Sequence, residues 1–258
     1  MSSFINTSNT HAETSYFVAA NDAEKKAAKD AKKKVKNDLA HNFNNDFKGP
    51  KILIDIVNYL KDVNITISKN VEGEGRGGSL NDQGTIKKLL FNHPKFKYFV
   101  IDEKARRFGD ITVLDYDRIT RHPVNIKTSI GGKDNCFSRA GTVYAFTDIH
   151  DTEIPKSMTF KKMDELLKQH GKNIQGKDYW MLCVDKNDSS NILIRGTKQL
   201  NCWTVNPHQS NILQVDWRTE KSLPPVERTY EEAYEIIIGG LKKSIKNYLE
   251  GVPKDWLL

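Results

Sequence analysis

Asp110, Asn125 and Lys127 are the residues of this chain whose types and spacing suit phosphate-ester chemistry. Hydrolysing a phosphodiester needs a hard cation to neutralise the phosphate, an activated water and a stabilised leaving oxygen. Magnesium takes oxygen ligands, and one or two carboxylates with waters and substrate oxygens fill its shell. A lysine beside the attacking water orients it and supports its hydroxide form. The stretch FGDITVLDYDRITRHPVNIKTS, residues 108–129, carries these groups on two strand-like runs joined by a turn. Residues two apart on a strand face the same side, so Asn125 and Lys127 point together while Ile126 turns into the core. The hairpin register decides whether Asp110 lies beside Asn125 or beside Lys127, and the sequence leaves both open. Asp82 offers a second carboxylate from the preceding helix.

These groups need a scaffold, and the pattern around them supplies one. DITVLDY (110–116) and PVNIKTS (123–129) read as paired strands, with Asp115 and Asp117 as turn residues that bond the local backbone. KFKYFVI (95–101) reads as a strand before them, and NITIS (64–68) alternates like a short one. DYWMLCVD and NILIRG form a further strand pair across KNDSS. GPKILIDIVNYLKD is a helix with Pro50 at its start and Leu53, Ile56, Val57 and Leu60 on one face. VEGEGRGGSLNDQGTIKKLLFNHP passes from a glycine-rich loop into a helix, with Ser79 and Asp82 as a shortened capping box. Thr159 caps a helix that has Phe160, Met163 and Leu167 on one face and ends at Gly171. Thr229 and Glu232 box the last helix, where Ala233, Ile237, Leu241, Ile245 and Leu249 keep helical spacing until Gly251 and Pro253. The expected class is α/β or α+β, a central mixed β-sheet flanked by helices.

Residues 1–20 read as a flexible polar arm and 21–40 as an Ala- and Lys-rich basic helix. Residues 41–258 form the main domain, with a core over about 72–185 and a recognition and packing segment over about 186–258. At 38% hydrophobic residues the chain can bury a core, and it has no apolar run long enough to span a membrane. The first residues show no basic stretch leading into an apolar one, and Cys136, Cys183 and Cys202 form no CxxC pair. Both features fit the cytoplasm. The histidines form no HxH or HExxH pair, and GEGRGG lacks the Lys-Ser/Thr of a phosphate-binding loop. A formal charge of +7 attracts polyanions, nucleic acid first.

Asp110 on one strand and Asn125-Ile126-Lys127 on the next resemble the signature of the PD-(D/E)xK nuclease superfamily, and within it type II restriction endonucleases. GRGGSLNDQGTIKKLL is similar to that family's entry helix, with Asp82 where a Glu is usual. VNIKTSIGGKDNCFSRAGTVYAFTD resembles its triplet strand and polar loop, and NPHQSNILQVDWR with RTYEEAYEIII its C-terminal segments. Together these cover roughly residues 72–250. Two positions depart: Gly109 stands for a variable Pro, and Asn125 replaces the motif acid, as in some short-site restriction enzymes.

The resemblance implies Mg²⁺ bound by Asp110, the Ile126 backbone carbonyl and Asp82. It gives Lys127 the nucleophilic water and Asn125 the role of orienting it. The implied function is sequence-specific hydrolysis of double-stranded DNA to 5′-phosphate ends by a homodimer, beside a cognate DNA methyltransferase. Arg76, Lys133, Asn135, Ser138, Arg139, His208, Gln209 and Asn211 are the DNA-binding candidates, since Asn and Gln read adenine and Arg reads guanine. Trp203 and Trp217 read as core. The alternatives are a catalytically inactive DNA-binding protein on the same fold, favoured by Asn125, and a repair or RNA nuclease of the superfamily.

Overall fold

The computed structural model describes residues 49–68, 75–103, 108–130, 133–135, 138–155, 157–206 and 212–250. The arm and basic helix expected over residues 1–40 lie outside them, as do Glu72, Glu74, Cys136, His208, Gln209, Asn211, Gly251 and Pro253. Among the described residues no helix is long and apolar enough to cross a membrane.

Helix α1 (Lys51–Asp62) follows Pro50, whose carbonyl accepts from the Leu53 and Ile54 N–H groups at 3.0 and 3.3 Å. Ile52, Leu53, Ile56, Val57 and Leu60 make its buried stripe. Beyond it Ile65 buries while Asn64, Thr66 and Ser68 stay exposed, so the alternation in NITIS is real, yet no strand forms. That segment finds a side chain in place of a ladder: the Ser68 N–H donates to Asp82 at 2.7 Å. Helix α2 (Gly75–Asn92) is already under way at Ser79, so the expected cap lies inside it. The KFKYFVI strand is shortened as well. His93 Nδ1 accepts from the Lys95 and Phe96 N–H groups at 3.2 Å each, Phe96 packs against His93 and Tyr59, and Phe96–Tyr98 curl into a 3-10 turn. Strand β1 is left with Val100–Asp102.

Strands β2 (Ile111–Leu114) and β3 (Arg121–Ser129) form the expected hairpin. Asp117 Oδ1 organises its turn, accepting from the Ile119 and Thr120 N–H groups at 2.7 and 2.8 Å, and Arg118 adopts φ 59°. Next come β4 (Lys133–Asn135), α3 (Arg139–Phe146), α4 (Phe160–His170), β5 (Trp180–Asp185) and β6 (Ile192–Gly196). The chain continues through β7 (Trp203–Asn206), β8 (Ile212–Asp216), α5 (Trp217–Glu220) and α6 (Tyr230–Tyr234). A π-helical turn (Glu235–Gly239) joins α6 to α7 (Gly240–Glu250).

Five strands form one mixed sheet in the order β1-β2-β3-β5-β6, with β3 and β5 parallel and the other neighbours antiparallel. A parallel pair needs a long crossover, and α3 and α4 lie within it. On one face Val124, Ile126, Trp180, Leu182 and Val184 pack with the stripes of α1 and α2. On the other, Met181 and Cys183 pack with α3, α4 and the C-terminal helices. Strand β5 is therefore buried on both faces, which is why it reads as an unbroken apolar run. The architecture is α+β, as the pattern indicates. A second, three-stranded sheet, β4-β8-β7, adds a layer that the sequence pattern does not announce.

The C-terminal helix keeps its Thr229–Glu232 capping box but departs from regular spacing. The π turn carries both Ile237 and Ile238 inward, two adjacent positions that an α-helix would splay apart. Just after it, a Cβ on Gly240 would fall 2.3 Å from the Trp203 ring, so the indole packs directly on the helix backbone. Trp217 is fully buried, as expected for a core residue. Beside it, Glu220 accepts from the Asn201 and Cys202 N–H groups at 2.9 and 2.8 Å and from Arg195 Nε at 3.3 Å. That cluster ties β6 to the segments around the second sheet. Removing one partner of a buried ion pair strands the other, so Glu220→Ala is expected to cost about 3–5 kcal/mol in urea unfolding followed by tryptophan fluorescence.

Candidate active site

The hairpin register places the first carboxylate. Ile111 pairs with Val124, and the Asp110 N–H donates to the Val124 carbonyl at 2.8 Å. Ile111–Val124 is the last pair of the register, so Asp110 meets β3 at Val124 through its backbone and at Ile126 through its side chain. Gly109 lets the chain approach this closely, because a Cβ there would stand 3.3 Å from the Val124 carbonyl oxygen and 3.4 Å from its nitrogen.

Strand β3 outruns β2 at this end. Backbone groups two residues apart face the same neighbour, so the N–H and C=O of Ile126 continue the row begun by Val124 past the last β2 partner. Side chains satisfy both. The Ile126 N–H donates to Asp110 Oδ2 at 2.7 Å. The Ile126 carbonyl accepts from Gln83 Nε2 of α2 at 2.8 Å.

The parallel register sets Asn125 opposite Met181 and Lys127 opposite Cys183. Thioether and thiol line this floor, and neither is a good hydrogen-bonding group. Asn125 Oδ1 is accordingly buried without a hydrogen-bond partner among the described residues. Such an atom costs about 1–3 kcal/mol unless a ligand or water completes it. Burial also pushes the Asp110 carboxyl above the usual range, and the charge of Asp102 adds to that push. The Ile126 N–H and the ammonium groups of Lys127 and Lys87 act the other way. Lys87 lies one helical turn beyond Gln83 and holds Asp102 Oδ1 at 2.7 Å.

The structure brings together Asp110 and the backbone of Ile126, the residue between Asn125 and Lys127, with Lys127 close enough to act on Asp110. Asp82 does not join them. It is buried among Ser68, Thr128 and Lys186, taking the Ser68 N–H and hydroxyl at 2.7 and 2.8 Å and Lys186 Nζ at 3.2 Å. Burial raises its pKa, but these donors outweigh it and hold the carboxyl below its ordinary value. The cause is helical phase: one residue is about 100° on a helix, and Gln83 is the residue α2 aims at the site. The signal for Gln83 was its place next to Asp82 in a segment already read as the entry helix.

Two of the DNA-binding candidates already serve the fold. Ser138 caps α3, its Oγ accepting from the Gly141 N–H at 3.1 Å, and the Arg139 guanidinium lies 4.8 Å from the Phe160 ring centroid. Arg76 lies in the first turn of α2, while Lys133 and Asn135 bound β4.

The donor set fits magnesium. Asp110 commits Oδ2 to the backbone, so Oδ1 faces no described donor, and the orphaned Asn125 Oδ1 is a second hard oxygen. The Ile126 carbonyl keeps one lone pair beyond the bond from Gln83. The described residues contain no group of three or more His, Cys, Asp and Glu side chains, so they form no zinc centre of the usual composition.

A carboxyl whose folded pKa is raised is penalised once the pH climbs above its unfolded value, because the unfolded chain ionises first. Asp110→Asn is therefore expected to raise the urea midpoint at pH 7.5, with the gain shrinking as the pH falls through the ordinary Asp range. Urea titrations at several pH values check this.

No protein-family model matches the chain, and no curated protein matches its sequence.

Proposed function

We propose that this protein is a magnesium-dependent, sequence-specific endonuclease of double-stranded DNA, of restriction type. The observation that carries the proposal is the hold of the Asp110 carboxyl on the Ile126 N–H, between Asn125 and Lys127 on the next strand, with the charge of Lys127 reaching it. Asp110, Asn125 and the Ile126 carbonyl would hold the cation. When bound, magnesium supplies positive charge to the phosphate and to the leaving oxygen.

The chain's own groups do the rest. Lys127 holds the attacking water and steadies it as its proton departs. Asn125 orients that water, and the Ile126 N–H fixes the Asp110 carboxylate in place. Oxygen adds to phosphorus and the P–O3′ bond breaks, leaving a 5′-phosphate and a 3′-hydroxyl that has taken up a proton. The +7 charge favours the polyanionic substrate. A homodimer would cut both strands, and a cognate methyltransferase would protect the host genome.

Asn125 also favours a second reading, a DNA-binding protein of the same fold that does not cut, because a neutral amide weakens the hold on a dication. Digestion of unmethylated phage DNA with and without magnesium separates the two. Wild-type protein is expected to give discrete magnesium-dependent bands, and Lys127→Ala to cut about a thousandfold more slowly. Binding without cutting in either magnesium or manganese establishes the second reading. In that case Asn125→Asp is expected to produce cleavage where the wild-type chain gives none.

A further inference from the structure

Past Val124, strand β3 carries Lys127 on a stretch whose β2 side has no strand among the described residues. Its ladder there is to β5 alone, with Lys127 opposite Cys183. Helix α2 supplies the missing edge through two adjacent side chains. Gln83 Nε2 donates to the Ile126 carbonyl at 2.8 Å, and Asp82 Oδ2 accepts from the Thr128 hydroxyl at 3.2 Å. Those two contacts lie on either side of Lys127. Asp82 is itself fixed, by the Ser68 N–H at 2.7 Å and by Lys186 Nζ at 3.2 Å. Strand alternation sets Ile126 and Thr128 on the α2 face and Lys127 on the other, so the helix grips the strand from behind the lysine.

We infer that Gln83 and Asp82 are positioning residues, a two-point clamp from α2 that fixes the backbone on both sides of Lys127 and so sets where its ammonium meets the attacking water. The inference rests on the nuclease reading and deepens it. A lysine reaches its target on a flexible four-carbon stem. Among the described residues no ion pair holds this ammonium, so the strand beneath it decides its reach. A strand laddered along one edge alone can tilt at the other, and a shift of about 1 Å at a reacting group costs about a hundredfold in rate. The clamp touches neither water nor phosphate and acts through Lys127. The Ile126 carbonyl also belongs to the proposed cation set, so the two routes must be told apart.

A double-mutant cycle on the full chain does so. Gln83→Leu keeps the bulk and removes the donor. Thr128→Val keeps the branching and removes the hydroxyl, leaving Asp82 its other partners. Each is expected to lower kcat for magnesium-dependent DNA cleavage about 10–100-fold with KM unchanged. In a Lys127→Ala background each is expected to cost less than about twofold, because groups that act through one residue are not additive. Mn²⁺ affinity, followed by isothermal calorimetry, is expected to be the same in Gln83→Leu as in the wild-type chain. The same loss of kcat with and without Lys127 would overturn the inference and leave the nuclease reading intact. So would a kcat within about twofold of wild type in either single variant. Mn²⁺ binding that weakens in parallel with kcat would assign Gln83 to the carbonyl ligand of the cation, which also overturns it. If the wild-type chain cuts no DNA, the nuclease reading fails and takes the inference with it.

Discussion

A backbone amide and a backbone carbonyl at Ile126 must both be paired, and among the described residues no strand runs beside them on the β2 side to do it. Two side chains take the place of that strand. The Asp110 carboxylate accepts from the amide, and the Gln83 carboxamide donates to the carbonyl. The candidate site is thus a sheet ladder finished in side-chain chemistry, and its geometry is as well fixed as the ladder it extends. Leaving either backbone group unpaired would be costly, so the fold itself holds Asp110 in position.

That arrangement sets the electrostatics. The Asp110 carboxyl is buried, and burial opposes its charge. Lys127 from the strand and Lys87 from the helix push back. The fold therefore holds this carboxyl at a cost to stability, as sites commonly do. Elsewhere burial is handled differently. Asp82 and Glu220 are buried too, yet each is surrounded by backbone donors and a cation, and each ties segments together. The number and origin of the donors separate the anchoring carboxylates from Asp110.

The sequence revealed the parts whose signal is local. The Asp115–Asp117 turn, the alternation of β3, the doubly buried run of β5 and the Thr229–Glu232 box could all be read directly, because each depends on residues within a few positions of one another. What escaped depends on contacts from afar. Gly75, Gly77 and Gly78 resemble a loop, yet α2 runs through them, so the pattern sets the helix start too late and points to Asp82 where the helix presents Gln83. NITIS alternates because one side packs on the helices, and nothing in its composition shows that its backbone lacks a strand partner. Helix α3 begins inside a stretch that reads as polar loop, and only the cap at Ser138 marks its start. Strands β7 and β8 are short, and β8 pairs with β4 from well before β5, a juxtaposition that periodicity does not carry.

The π turn between α6 and α7 acts as a phase shifter. One extra residue in a turn rotates all that follows by about 100° relative to an uninterrupted α-helix. After that rotation Leu241 falls on the core, and Lys242, Lys243 and Lys246 fall outside, where Lys242 meets Asp164 of α4 at 3.6 Å. Deleting a single residue from Glu235–Gly239 would leave the composition of the helix almost untouched. It would nevertheless turn a basic row toward the core and an apolar one toward water. The length of this segment, more than the identity of any residue within it, is what its neighbours hold constant.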